Sequence, residues 1–419
     1  MTDGMRNGQA PRIVGPAGMM LIVGLFFLWG LANNLNDVLI AHFRHVFQLS
    51  DLQSGLVQSA FYLGYFCFAL PSAYAAERFG YKAAVIAGLL LFAAGALLFW
   101  PASLQPSYPF FLVALFVIAS GLAFLETAAN PLVMVLGPPE SADRRLNLAQ
   151  AFNPLGSITG VGLGAALLLS DAPAVAIPDA SAVRLPYFAI AAVVLAWAVL
   201  LIVTPLPHAA TRTDRKPDDA GILSGVGTLL RRPRYVAGIV AQFFYVGAQV
   251  GIWSYLIRYV GAELPGFGTQ RAAWLLTASL VLFMAGRFVG AALLARIDGA
   301  RLMMVFGAIN TVLAIIAAVI GGPVGVSALV ASSFFMSIMY PTIFALSLRG
   351  LGPLTKPGAS LIVMAIIGGA VLTAVMGFVS DASGAIRLAM LVPAICFVVV
   401  TLFARLHRAD VTRRSGVTS

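Results

Sequence analysis

Long apolar runs recur along the whole chain and are separated by short polar stretches. A helix needs about 20 apolar residues to cross a membrane, and these runs are long enough. Strands of a membrane barrel would be about half as long and would alternate apolar with polar residues, so the pattern predicts helices. The twelve predicted spans are residues 19–41, 54–76, 82–101, 108–136, 146–170, 184–204, 234–259, 270–294, 302–321, 324–348, 358–380 and 386–405.

Composition excludes an ordinary soluble protein. Of the 419 residues, 60% are hydrophobic and 10% are charged, whereas a soluble domain is about 25% charged. The net charge of +10 does not indicate a nucleic-acid partner, because the basic residues are spread between the apolar runs instead of forming one stripe. The expected surroundings are therefore membrane lipid, in the plasma (inner) membrane of a cell.

The positions of Lys and Arg predict the orientation. If the N-terminus lies in the cytoplasm, 20 of the 26 basic residues fall in cytoplasmic segments and five fall outside, while Arg287 lies within a span. Cytoplasmic loops of membrane proteins are enriched in Lys and Arg. Both termini are therefore predicted to be cytoplasmic.

The longest polar stretch between spans, residues 205–233, predicts the boundary between two halves. It separates an N-terminal six-helix bundle, 19–204, from a C-terminal six-helix bundle, 234–405, with cytoplasmic tails at 1–18 and 406–419. Asn130-Pro131 and Tyr340-Pro341 stand in corresponding spans of the two halves. The predicted fold class is an all-α membrane protein with two six-helix pseudo-repeats, an arrangement typical of transporters that act by alternating access. A monomer is expected to suffice.

Two acids fall within predicted spans, Asp37 in the first and Glu126 in the fourth. A charged carboxylate at the centre of a membrane helix costs about 2.5–3.5 kcal/mol on insertion scales, so such residues are usually functional. Burial disfavours the charged form, so the group can hold a proton near neutral pH. We interpret both acids as proton-coupling residues; a neutral hydrogen-bonded acid or a buried ion pair is the structural alternative.

Neutral polar and aromatic residues accompany these acids. Amides and indoles suit an uncharged polyhydroxylated ligand, because they offer donors, acceptors and a flat apolar face. Membrane amides also join helices to one another, and for any single residue this packing role is an equal alternative. The predicted substrate-binding residues are Trp29, Asn33, Asn34, Asp37, Glu126, Gln150, Asn153 and Tyr340.

Four charged residues are interpreted as gating or structural groups. Glu77, Arg78 and Lys82 belong to the turn ERFGYK after the second span, and Arg287 is a cation within the eighth. Six-plus-six spans, the basic central loop and this turn resemble the major facilitator superfamily. Ala73 and Glu77 depart mildly from the superfamily pattern, which usually has Gly and Asp there.

Five segments narrow the resemblance to the L-fucose–proton symporter family. They are residues 26–37 (FFLWGLANNLND), 58–65 (QSAFYLGY), 125–131 (LETAANP), 146–153 (LNLAQAFN) and 339–344 (MYPTIF). The resemblance implies proton-coupled uptake of a neutral sugar, with Asp37 and Glu126 as the coupled carboxylates and Gln150 and Asn153 in the sugar cavity. Glucose and galactose carriers also resemble this chain, but they are expected to have Gln in place of Glu126.

Other functions stay open as alternatives. Drug or metabolite efflux is less favoured, because NPLGSI at 153–158 differs from the helix 5 signature of efflux pumps. A passive channel is disfavoured by the two-repeat layout. A membrane enzyme is disfavoured because no nucleophile–His pair or metal motif occurs within the spans, and neither a cofactor nor a metal is expected.

Overall fold

The computed structural model describes residues 18–31, 47, 51–104, 107–136, 138–168, 184–205 and 221–415. The described chain is almost entirely helical. Its α-helices are α1 (Gly18–Leu31), α2 (Asp51–Phe79), α3 (Tyr81–Leu104), α4 (Tyr108–Val135), α5 (Ala142–Gln150), α6 (Phe152–Leu168), α7 (Arg184–Val203), α8 (Gly221–Leu230), α9 (Pro233–Glu263), α10 (Thr269–Leu293), α11 (Gly299–Val319), α12 (Gly322–Met336), α13 (Met339–Leu348), α14 (Thr355–Met364), α15 (Gly368–Ser383) and α16 (Leu391–Ser415).

These helices match the predicted spans closely. Within the described residues, nine helical stretches are long and apolar enough to cross a membrane, and α1 is a shorter apolar helix. The spans predicted at 146–170, 324–348 and 358–380 are each built from two helices: α5 with α6, α12 with α13, and α14 with α15. Two helices include residues outside the predicted spans. α8 forms inside the predicted linker, and α16 continues beyond the predicted end of the last span, as far as Ser415.

Prolines explain the divisions in the spans at 146–170 and 324–348, whereas the division between α14 and α15 at residues 365–367 contains no proline. Pro154, Pro341 and Pro357 each occupy the third position of α6, α13 and α14. Proline has no N–H and its ring clashes with the carbonyl four residues earlier, but it fits the first turn of a helix. The chain therefore starts a new helix just before each proline. In the span 146–170, this releases the backbone carbonyl of Gln150 from helical bonding.

Glycines bring α1 and α6 into backbone contact. A Cβ atom added at Gly156 would lie 1.9 Å from the carbonyl oxygen of Phe27, and one added at Gly30 would lie 1.9 Å from that of Asn153. A Cβ at Gly160 would likewise lie 2.4 Å from the Leu31 oxygen. Small residues at a spacing of four allow such close packing of membrane helices. Gly156 and Gly160 therefore act as packing residues between α1 and α6.

α3 and α7 are joined at both of their ends. Lys82 at the start of α3 donates to the carbonyl oxygens of Ile202 (3.0 Å) and Thr204 (2.9 Å) at the end of α7. At the other end, Arg184 donates to the hydroxyl (2.6 Å) and the carbonyl (3.0 Å) of Ser103. Cations near the C-terminus of a helix satisfy its last carbonyls. We call this antiparallel arrangement the α3–α7 pair.

A Lys82→Met variant is expected to be less stable by about 1 kcal/mol, because methionine keeps much of the apolar stem but cannot bond the α7 carbonyls. Thermal unfolding of the purified protein in one detergent would measure the change. Arg78→Met is the matched control, because Arg78 lies nearby and donates to Tyr74 within its own helix. Equal melting temperatures for Lys82→Met and the unaltered protein would contradict the role of Lys82.

The two halves meet at one end of the bundle, which we call the basic end and define as residues 77–82, 138–145, 296–301 and 349–356. There α14 packs on α2 and α4, and α5 packs on α10 and α13. Arg349 and Asp143 form an ion pair across the halves with an N–O distance of 2.8 Å. Lys356 lies over the Tyr81 ring at 5.2 Å from its centroid. The halves are therefore closed against each other at this end.

Candidate functional site

A cavity of about 230 Å³ lies between the two halves. Helices α1, α2, α4, α5 and α6 contribute to it from the first half, and α9, α10 and α13 contribute from the second. Its polar and charged lining consists of Trp29, Tyr62, Tyr65, Glu126, Gln150, Asn153, Ser157, Gln249, Trp253, Ser254, Arg287 and Tyr340. Five predicted binding residues, Trp29, Glu126, Gln150, Asn153 and Tyr340, are thus brought together.

Glu126 is the acid of this cavity. Its side chain is only 2% exposed, and Oε1 accepts a hydrogen bond from the hydroxyl of Tyr340 in the opposite half. Oε2 has no hydrogen-bond partner among the described residues. Leaving a buried carboxylate oxygen unsatisfied is costly, whereas a protonated oxygen or a ligand hydroxyl would satisfy it. One oxygen of Glu126 is therefore available to a proton or a guest.

Arg287 connects the halves beside Glu126. The Nη1 group donates to the Gln150 backbone oxygen at 3.0 Å and to its side-chain oxygen at 2.8 Å. That backbone oxygen is the one released by Pro154. The guanidinium also lies over the ring of Phe283, 4.8 Å from the centroid. Arg287 was predicted as a gating or structural group, and here it lines the cavity and joins α10 to α5.

The side chains of Trp29 and Asn153 are oriented by the first half. The indole N–H of Trp29 donates to the Tyr65 hydroxyl at 3.0 Å. The amide of Asn153 donates to the Phe26 carbonyl at 3.3 Å, and Asn153 lines the cavity. Both residues lie at the α1–α6 contact, so tight backbone packing supports their positions.

The second half contributes an apolar wall around Trp253, beside its polar lining residues Gln249, Ser254, Arg287 and Tyr340. The wall includes Val246, Val250, Leu280 and Phe283, with Trp253 standing at 83° to Phe283 at a centroid distance of 5.0 Å. The indole N–H of Trp253 donates to the Ser333 hydroxyl at 3.1 Å. The cavity therefore combines hydrogen-bonding groups from both halves with aromatic and aliphatic surface, a mixture typical of ligand-binding pockets.

The structure places three predicted residues outside the cavity lining and does not describe three others. Asp37, Asn33 and Asn34 fall outside the described residues, so their roles stay predictions. Glu77, Arg78 and Lys82 lie at the basic end and not in the cavity lining. Lys82 bonds within the first half, while Glu77 lies close enough to Lys356 of the second half for their charges to interact.

Sequence reasoning missed Tyr65 and Trp253 as cavity residues. Tyr65 lies seven residues after Gln58, so the two share a helix face, a signal that could have pointed to it. Trp253 lies four residues after Gln249 on α9, on the face that also carries Val246. Both aromatics looked like ordinary core residues, because their use depends on which helices face each other across the two halves.

Comparison with known proteins settles the family. The family model of the Major Facilitator Superfamily matches residues 21–359. The chain belongs to the Major Facilitator Superfamily. This confirms the predicted fold class, whose twelve-helix arrangement the described helices follow.

Two relatives and one solved structure place the chain within the superfamily. The L-fucose-proton symporter of Escherichia coli (strain K12) is 45% identical, with 97% of this chain and 96% of the relative covered. The glucose/galactose transporter of Brucella abortus biovar 1 (strain 9-941) is 38% identical, with 90% and 91% covered. A crystal structure of FucP, a superfamily transporter in the outward conformation, is 45% identical with a TM-score of 0.85, covering 93% and 98%. The predicted resemblance to the L-fucose–proton symporters is confirmed.

Proposed function

We propose that this protein takes up a neutral sugar together with a proton by alternating access, and that its preferred sugar is L-fucose. The observation that carries the proposal is the placement of Glu126 inside a cavity lined by amide, hydroxyl and aromatic groups. Glu126 is a buried carboxyl group, and one of its oxygens has no partner among the described residues. The 45% identity to an L-fucose-proton symporter over nearly the whole chain supports the choice of sugar and ion.

The cavity suggests how sugar and proton share one site. A protonated Glu126 can donate a hydrogen bond to a sugar hydroxyl and accept one from Tyr340, while Gln150 and Asn153 offer further polar contacts. The apolar wall around Trp253 can cover the less polar face of a sugar ring or a methyl group. Asp37 is proposed as a second coupling carboxylate, with Asn33 and Asn34 beside it in the binding site.

The orientation is part of the same proposal. The basic end carries the predicted cytoplasmic loops, and its closure by the Asp143–Arg349 pair would leave the sugar site accessible from the opposite side. We propose that the protein lies in the inner membrane with both termini in the cytoplasm, and that it works as a monomer of two six-helix halves joined by residues 205–233.

A competition panel tests the sugar. Right-side-out vesicles containing the protein are expected to accumulate labelled L-fucose when the outside is made acidic, and unlabelled L-fucose should compete more strongly than D-galactose, L-arabinose or D-glucose. Because the relative from Brucella abortus is a glucose/galactose transporter, stronger competition by D-glucose or D-galactose would assign the chain that specificity instead. Uptake without dependence on the pH gradient would contradict symport.

A further inference from the structure

A row of polar side chains, buried except for the partly exposed Asp143, runs from Glu126 to the basic end along the face where the halves meet. We call it the polar column and define it as Glu126, Asn130, Gln150, Asn147 and Asp143. The first two lie one turn apart on α4, and the other three lie on α5 at successive turns. At 1.5 Å of rise per residue, the α5 part alone extends over about 10 Å. The column therefore covers a substantial part of the closed end.

Hydrogen bonds join the middle of the column. Gln150 Nε2 donates to Asn130 Oδ1 at 3.0 Å. Asn147 Nδ2 donates to the backbone oxygen of Asp143 at 2.9 Å and lies 3.5 Å from the hydroxyl of Thr342 in the second half. Direct hydrogen bonds thus link Gln150 to Asn130 and Asn147 to the Asp143 backbone, and the column borders the interface that must open for alternating access.

The column also holds more hydrogen-bonding capacity than its protein neighbours use. Glu126 Oε2, Asn130 Nδ2 and Asn147 Oδ1 are buried and have no hydrogen-bond partner within the described part of the chain, and the same is true of Thr127 Oγ1 beside them. Amides that serve only to join helices would be expected to satisfy one another. Groups with spare donors and acceptors in a file are suited to bind water molecules once the halves separate.

Asp143 stands where the column reaches the basic end. It lines a cavity of about 200 Å³ together with Glu140, Arg144, Asp298 and Arg349. Arg349 faces it from the second half at 2.8 Å, and Asp298 faces it from the start of α11. Burial raises the pKa of the Asp143 carboxyl above its ordinary value, and the charge of Arg349 opposes that rise. Asp143 is therefore a carboxylate that can take a proton more readily than an exposed aspartate.

We propose that the polar column is the route by which the proton leaves Glu126 toward the basic end, with Asp143 as its last carboxyl group. The proposal rests on the proposed proton-coupled function. The O–H bond of protonated Glu126 breaks and its proton passes to water held by the column. A proton then leaves that water for the Asp143 carboxylate, which is released from Arg349 as the halves part. Asp143 finally returns a proton to bulk water, and Glu126 is left as a carboxylate.

Two measurements separate this role from helix packing and from a simple latch. Proton-driven accumulation requires the proton to be released inside. Equilibrium exchange of labelled for unlabelled sugar does not require this release, because the carrier can return with both its proton and a sugar still bound. A relay residue is therefore needed for accumulation and for sugar-induced proton entry, whereas a packing or latch residue affects accumulation and exchange alike.

The experiment compares Asn147→Leu and Asp143→Asn with two matched controls in reconstituted vesicles. Asn310→Leu removes another fully buried amide, on α11 and outside the column, that has no hydrogen-bond partner among the residues the structure describes. Glu140→Gln neutralises a carboxyl that lines the same cavity as Asp143. We expect both column variants to lose accumulation and sugar-induced proton entry by about tenfold or more while exchange persists. The controls should behave as the unaltered protein does.

The possible results distinguish a failure of the proton relay from a failure of the proposed symport function. If the unaltered protein shows no proton-driven accumulation, symport itself is wrong. If it accumulates sugar and both column variants do the same, the relay is overturned. A parallel loss of accumulation and exchange in Asp143→Asn and in Arg349→Gln would assign Asp143 a latch role instead and would also overturn it.

Discussion

A Glu126→Gln variant is expected to bind sugar and exchange it across the membrane but to lose proton-driven accumulation. Glutamine has nearly the same shape, and its side-chain oxygen can still accept the Tyr340 hydrogen bond. It cannot take up or release a proton. A gradient of two pH units stores about 2.7 kcal/mol, which could support up to about a hundredfold accumulation at one proton per sugar. The variant should bring the ratio of internal to external sugar close to one.

Uptake of labelled L-fucose into vesicles with an acidic exterior would measure this ratio, and equilibrium exchange in the same preparation would verify that the variant is folded. Glu263→Gln is a matched control, since Glu263 accepts a backbone bond from Gly322 far from the cavity lining. Full accumulation by Glu126→Gln would remove Glu126 from the coupling mechanism.

A Gly156→Ala variant is expected to destabilise the first half. Its Cβ would lie 1.9 Å from the Phe27 carbonyl oxygen, which belongs to the backbone of α1 and cannot rotate away. α1 and α6 would have to move apart by roughly 1 Å or more to reach ordinary contact. Overpacking of this kind costs about 1–3 kcal/mol or more. The reciprocal contact of Gly30 with Asn153 would be disturbed as well.

The melting temperature in detergent and the yield of monodisperse protein would measure the effect. Gly261→Ala is the matched control, because a Cβ there meets no atom within 4 Å and alanine favours a helix interior by up to about 1 kcal/mol. The tight α1–α6 contact would be contradicted if Gly156→Ala melted at the same temperature as Gly261→Ala.

The sequence was sufficient to predict the spans, because each must be long and apolar to cross a bilayer. It was less informative about where a span divides. Pro131 lies inside the continuous helix α4, whereas Pro154 and Pro341 follow interruptions. The local sequence does not distinguish these cases, because the groups that satisfy the carbonyl freed by a proline come from neighbouring helices. The carbonyl freed by Pro154 accepts a hydrogen bond from Arg287, which is distant in the chain.

The candidate site was predictable where a polar residue stood in an apolar run, as Glu126 and Gln150 do. The partner of each such residue was not predictable, because it depends on which faces of the two halves meet. Tyr340 is among the predicted substrate-binding residues, but its bond to Glu126 joins positions 214 residues apart. The apolar wall around Trp253 carried no signal of its own, because aromatic residues in spans are most often packing residues.

The α3–α7 pair has a consequence for the response to bilayer thickness. Lys82 and Ser103 are separated by 21 residues of one helix, which corresponds to about 30 Å, the depth of a typical hydrocarbon core. Because the helices are tied at both ends, neither can slide along the other to adjust its length. In a thinner or thicker membrane, the pair must tilt as one unit and the lipid must deform around it.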